Sequence, residues 1–167
     1  NSEQIKSFLS SSLPSLNLSD IDALTMLSEG RLGRALRIYE EDGLLLLKEL
    51  IILLSHFPKI SIPDLHVFAE KLSRNGAENS FKLTMSLFSS WLSHLIKATF
   101  YQSDTPIQVF QEELGCGERI IQATGVEFLI NLWDRVNSVS EKTIRQNLDR
   151  KHAFLAMFET LGGSTFD

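Results

Sequence analysis

The chain carries one cysteine in 167 residues, Cys116, so it can form neither an internal disulfide nor a cysteine-rich zinc site. That usage predicts a reducing, cytoplasmic setting. A long apolar run is also missing. The most apolar stretch, Leu44 to Leu54, is interrupted by Lys48 and Glu49 and followed by Pro58. It falls short of the ~20 residues that a bilayer-spanning helix needs and reads as a buried core helix. No charged-then-apolar leader opens the chain, and with Asn1 in first place it reads as a piece of something longer. Excess positive charge is absent too. Sixteen Lys and Arg against 21 Asp and Glu leave a net charge of -5 and a pI near 5.4. No global field attracts a phosphate backbone, which argues against a free-standing nucleic-acid-binding domain.

Catalytic signatures are missing in the same way. There is no G-x-x-x-x-G-K-[ST] loop and no G-x-G-x-x-G after a strand, hence no phosphate cradle in the chain's own backbone. His56, His66, His94 and His152 are scattered without an H-E-x-x-H pattern and read as solvent-facing or satisfied structural histidines. Cys116 sits between two glycines and reads as a turn cysteine, with only Arg119 nearby to lower its thiol pKa. No catalytic residue, cofactor or metal is expected.

What is present is helical periodicity, with no sustained alternation that would predict strands. The fold class is all-α. Three short helices are expected over 3–13, 20–29 and 31–41, the second capped by Ser19 with Asp22 and stopped by Gly30. Asp42 can cap the Leu-rich helix that follows. Pro63 suits the first turn of a helix carrying Leu65, Phe68, Ala69 and Leu72, which Asn75-Gly76 closes. A long helix over about 77–101 has Phe81, Met85, Phe88, Leu92, Leu95 and Ile96 on one side. Gln102 to Pro106 is expected to turn, and Gly115-Cys116-Gly117 to break. Thr124 and Glu127 form a T-x-x-E capping box ahead of a stripe of Val126, Leu129, Ile130, Trp133 and Val136. The last helices are expected over 140–147 and 149–161.

One stretch runs against helix electrostatics. In "SEGRLGRALRIYEEDG", residues 28–43, Arg31, Arg34 and Arg37 open a helix whose dipole favours acids there. Glu40, Glu41 and Asp42 are explained as the start of the next helix; the arginines are not. They fall opposite the Leu32, Ala35, Leu36, Tyr39 stripe. Either they form a solvated face, with Arg37 and Glu41 paired at i,i+4, or they meet carboxylates or phosphate supplied from outside the unit. Further along, Phe100, Tyr101, Ile107, Val109 and Phe110 do not all fit one buried stripe and are candidates for a partner surface. Asp149, Arg150 and Lys151 read as a cap followed by solvated bases, or as a neighbour contact.

Gly30-Arg31-Leu32-Gly33-Arg34-Ala35-Leu36, following an amphipathic helix, resembles the lid of the AAA+ clamp-loader subunits, whose ATPase members read approximately G-S-L-R-D-A-L. Gly30, Leu32, Ala35 and Leu36 match. The sensor-2 arginine, which in that family reaches the phosphates of a bound nucleotide, falls on Gly33. Arg34 lies one position on, about 100° round the helix, and does not simply replace it. "NLDRKHAFLAMF", Asn147 to Phe158, is similar to the C-terminal segment of the δ′-type subunits of the bacterial DNA polymerase III clamp loader. The Leu-rich helix and "RNGAENSFKLTMSLFSSWLSHLIKA" look like the collar of those subunits.

The resemblance implies a helical lid over residues 1–41 and a collar over 42–167, with a nucleotide-binding-type domain ahead of them in a full-length subunit. It implies a non-catalytic role, a stator against which the ATPases move. The implied partners are the ATPase and clamp-opening subunits and, indirectly, the sliding clamp and primer-template DNA. Self-association is not required, because a hetero-oligomeric ring uses different faces on different subunits. The alternatives are the corresponding region of an ATPase clamp-loader subunit, which Gly33 counts against, and an unrelated helical adaptor.

Overall fold

A computed structural model describes residues 2–57, 59–101, 109–110 and 115–159. Among them there are nine helices and no strand: α1 (Ser2–Ser12), α2 (Leu18–Leu27), α3 (Leu32–Glu40), α4 (Gly43–Ser55), α5 (Ile62–Ser73), α6 (Glu78–Tyr101), α7 (Cys116–Thr124), α8 (Val126–Gln146) and α9 (Arg150–Glu159). The all-α expectation is met. Among the described residues no helix is long and apolar enough to cross a membrane.

The organising element is α6, whose 24 residues make a rod of about 36 Å. Its buried positions Phe81, Met85, Phe88, Trp91, Leu92 and Leu95 recur at helical spacing and continue the packing on more than one side. The expected stripe is there, with Trp91 and Leu87 widening it. Helices α4 and α8 pack against α6, α2 touches it over a smaller contact, and α5 pairs with α9. Phe68, Phe154, Phe158, Phe88 and Trp91 form a chain of ring contacts joining α5, α9 and α6, with centroids 5.2 to 6.5 Å apart. Such aromatic pairs add about 0.5–1.5 kcal/mol each beyond the area they bury. One contiguous apolar cluster runs from Ile5 in α1 to Phe158 in α9.

The Leu-rich α4 is a core helix on one face only. Leu46, Leu47, Leu50, Ile51 and Leu54 are buried, whereas Leu45 and Ile52 are exposed. Pro63 lies in the first turn of α5, with Ser61 as the cap accepting the Asp64 N–H at 3.3 Å.

Several local expectations need correction. The cap of α2 is Asn17, whose Oδ1 accepts the Asp20 N–H at 2.7 Å, and not Ser19. The two candidate starts offer the same x-x-Asp spacing. With the earlier start Leu18 is the one exposed large apolar residue of α2, while Ile21, Leu24 and Leu27 stay inside. Thr124 caps nothing at the head of α8. It ends α7, donating its hydroxyl to the Ile120 carbonyl at 2.7 Å, and Gly125 with φ +80 separates the two helices. The stripe of α8 is Leu129, Leu132 and Val136, leaving Ile130 and Trp133 exposed. No break precedes residue 140, because α8 continues to Gln146. Cys116 is the first residue of α7 and is buried, not displayed on a turn. The expected turn over 102–106 and the end of the last helix beyond 159 lie outside the described residues.

Candidate functional site

The backwards-charged stretch is where the structure concentrates its polar geometry. Helix α2 stops at Ser28, and the next two residues take left-handed backbone, Glu29 with φ +52 and Gly30 with φ +79. Gly30 adopts this freely, as a helix-stopping glycine should. Glu29 does not: a residue with a Cβ loses roughly 1–2 kcal/mol there. What offsets the cost is the destination of its carboxylate. Arg31 Nη2 donates to Oε2 at 2.8 Å, Arg34 Nη1 to the same oxygen at 3.2 Å, and the Ser90 hydroxyl to Oε1 at 2.8 Å. Arg34 reaches further, donating from Nη2 to Ser90 Oγ at 2.8 Å and to Ser86 Oγ at 3.2 Å.

A five-residue clasp therefore ties the α2–α3 turn to the middle of α6. Arg34 is its centre, with its side chain only 20% exposed. The solvated-face alternative fails at Arg34, which turns away from the Leu32–Tyr39 stripe and meets α6 outside residues 1–41, while the carboxylate it meets, Glu29, lies within them. Arg31 remains mostly exposed, and Arg37 pairs with Glu41 through Nε at 3.1 Å, the expected i,i+4 pair. The stripe beneath them is centred on the buried Ala35 and Ile38, with Leu32, Leu36 and Tyr39 half-buried at its margins.

Gly33 is exposed, its φ is not left-handed, and a Cβ built on it meets nothing within 4 Å. The backbone does not require glycine here. Gly33→Ala should therefore stabilise the chain by about 0.5 kcal/mol in chemical denaturation, through the smaller entropy of the unfolded state. Destabilisation would mean that the open space is needed.

The charges around the clasp set its pH response. Burial pushes the Glu29 carboxyl up, but the Ser90 hydrogen bond and the Arg34 and Arg31 charges together hold it below the 4.5 of a free glutamate. His94, half-buried on the same helix as Ser90, is lowered below 6.5 by burial first and by Lys97 next, with Glu29 opposing. Both groups bind protons more weakly folded than unfolded, so both contributions are present above the unfolded pKa and are lost on acidification. The melting temperature should fall as pH drops below about 6.5 through His94, and again below about 4.5 through Glu29. In His94→Gln the upper step should vanish and the lower one persist. A flat profile between pH 7.5 and 5.5 in the native chain would refute the His94 assignment.

The remaining predicted residues are placed as follows. Phe100 and Tyr101, at the end of α6, are exposed. Val109 and Phe110 are buried, with Lys48 Nζ 5.9 Å from the Phe110 ring centroid, so neither is displayed to a partner. Ile107 lies outside the described residues. Asp149 caps α9, its Oδ1 accepting the His152 N–H at 2.7 Å. Arg150 is not solvated. Its guanidinium donates to the Leu72, Ser73 and Arg74 carbonyls, each at 3.1 Å, and pairs with Glu78 at 3.0 Å. Lys151 pairs with Glu70 on the surface of α5. Beside the cap, this segment is thus a second clasp, between α9 and the α5–α6 turn.

Among the described residues no cluster of three or more His, Cys, Asp and Glu is arranged to hold a metal. Sequence reasoning missed Glu29, Ser86 and Ser90. Only the oddity of the unopposed arginines pointed to them. No protein-family model, curated protein or solved structure matches the chain.

Proposed function

We propose that the chain is a non-catalytic assembly module, the lid and collar of a δ′-type clamp-loader subunit, with residues 1–41 as lid and 42–167 as collar. It supports loading of the sliding clamp by associating with the ATPase and clamp-opening subunits, in the bacterial cytoplasm. The observation that carries this reading is the use made of the lid-like turn. In the ATPases that turn sends an arginine to a nucleotide. Here the sensor position is Gly33, and the adjacent Arg34 spends its guanidinium on Glu29, Ser86 and Ser90. An arginine so engaged fixes the turn against α6 and has little left to offer a phosphate. A turn held rigidly on its neighbour suits a stator.

The test is to mix the protein with the clamp-loader ATPase and clamp-opening subunits of the same organism and to weigh the products by light scattering. A stable complex containing all three supports the reading, and separate elution at micromolar concentration overturns it. Tight, hydrolysable ATP binding that depends on Arg34 would move the assignment to an ATPase subunit.

A further inference from the structure

Helix α8 buries Leu129, Leu132 and Val136 and leaves a second apolar row uncovered. Ile130, Trp133 and Ile144 are 39, 37 and 45% exposed, and Leu148 beyond the helix end is 45% exposed. Ile130, Asn137 and Ile144 are seven residues apart, which keeps them in line along the axis with a drift of only about 20° per step. Glu127, Asp134 and Glu141 repeat at the same interval and lie about 60° round the helix from that row. All three are exposed. Glu141 shares its charge with Arg145 in a surface pair, while Glu127 and Asp134 engage no other side chain among the described residues. Beside the middle of the face opens a cleft of about 360 Å³ between α8 and α6, lined by Arg34, Ser86, Ser89, Asn137, Ser140 and Glu141.

Ile130, Trp133 and Ile144 flanking a polar Asn137, with acids along one edge at seven-residue spacing, make half of a helix-pairing seam. We propose that this face of α8 docks an amphipathic helix of a partner protein. Its apolar stripe covers Ile130, Trp133 and Ile144, and lysines or arginines along one edge meet Glu127, Asp134 and Glu141. Trp133 is the anchor, being the large aromatic of the face, on the flank of the Ile130–Ile144 line away from the acids, with Asn137 at the middle of the line. The acidic edge repels anionic lipid and nucleic acid, and a second copy lacks the run of basic side chains that would match it. Crossing antiparallel about Asn137, a copy brings Asp134 close to the partner copy's Glu141 and Arg145 close to the partner copy's Glu127, so attraction and repulsion offset. Crossing parallel, the acids fall on opposite sides of the seam and meet no cation, whereas a basic edge on a partner helix meets all three. The proposal goes beyond the clamp-loader reading and does not depend on it.

Two synthetic helical peptides as long as the 21 residues of α8 provide the probe. They share an Ile/Leu heptad stripe and differ only in carrying lysine or glutamate along the edges. Each is titrated into the 167-residue chain by calorimetry. The lysine peptide should bind at least about tenfold more tightly than the glutamate peptide, and the preference should shrink with added salt. The double variant Glu127→Lys, Asp134→Lys should reverse the preference. Trp133→Ala should weaken binding of the lysine peptide by about tenfold or more. These side chains are exposed, and far-ultraviolet dichroism checks that each variant keeps its fold. The proposal is overturned if neither peptide binds, if both bind equally, or if Trp133→Ala binds as the native chain does. Sedimentation of the chain alone covers the remaining occupant: a doubled mass that Trp133→Ala abolishes would make the face a self-pairing surface and overturn the proposal as well.

Discussion

Arg150→Ala should lower the unfolding free energy by about 3 kcal/mol, because it removes the charged donors that meet the last carbonyls of α5 and the pair with Glu78. Helix α5 ends at Ser73 without a glycine in the left-handed position that would turn its last carbonyls inward; Arg74, the residue after it, has extended backbone. The Leu72, Ser73 and Arg74 carbonyls are met by the fork of Arg150, and Leu72 is fully buried. A cation there also opposes the negative end of the helix dipole. For a chain of this size the melting temperature should drop by roughly 6–12 °C. Arg150→Lys should recover less than half of the loss, since a point-like ammonium cannot reach three carbonyls in a plane. The neighbouring Lys151→Ala removes an exposed pair and should cost about 0–1 kcal/mol. If Arg150→Ala and Lys151→Ala proved equal, the clasp would be a surface decoration.

The second large effect is expected at Arg34. Arg34→Glu sets a carboxylate against that of Glu29 and removes both hydrogen bonds to α6, at Ser86 and Ser90. The loss should be roughly 2–3 kcal/mol, and Arg34→Met, which keeps the packing of the stem and avoids the repulsion, should lose about half as much. Arg31→Glu, at a mostly exposed position, should change stability by less than about 1 kcal/mol. A double-mutant cycle between Arg34→Met and Glu29→Gln, read by urea denaturation, should show coupling of about 0.5–3 kcal/mol. Additivity of the two would mean that the contacts are adventitious and that Arg34 behaves as part of a solvated face.

Where the sequence was legible, one helix face decided the matter. The Leu-rich α4, Pro63 in the first turn of α5 and the long apolar side of α6 follow from spacing and residue type alone, since each depends on neighbours three or four positions away. The cap of α2 was harder because Asn17 and Ser19 both offer an oxygen three residues before an aspartate or its equivalent, and local chemistry does not rank them. In α8 the apolar band is wider than one buried stripe needs. Which edge turns inward depends on where α6 lies, so Ile130 and Trp133 were assigned to the wrong side. The clasps were out of reach for a plainer reason. Arg34 meets partners 52 and 56 residues away, and Arg150 meets carbonyls 76 to 78 residues behind it. No periodicity reports contacts at that separation; a charge pattern that contradicts its own helix dipole is the only trace they leave.

The reach of Arg150 also orders events during synthesis. At about 5–20 residues per second, the end of α5 waits roughly 4–15 s for the residue that closes it. Throughout that interval the nascent chain lacks the donors for the end of α5 and the ring partners of Phe68 and Phe88, because Arg150, Phe154 and Phe158 are still unmade. An intermediate halted before α9 is thus the species on which a chaperone would have most to grip, and release from it should follow the emergence of residues 150–158.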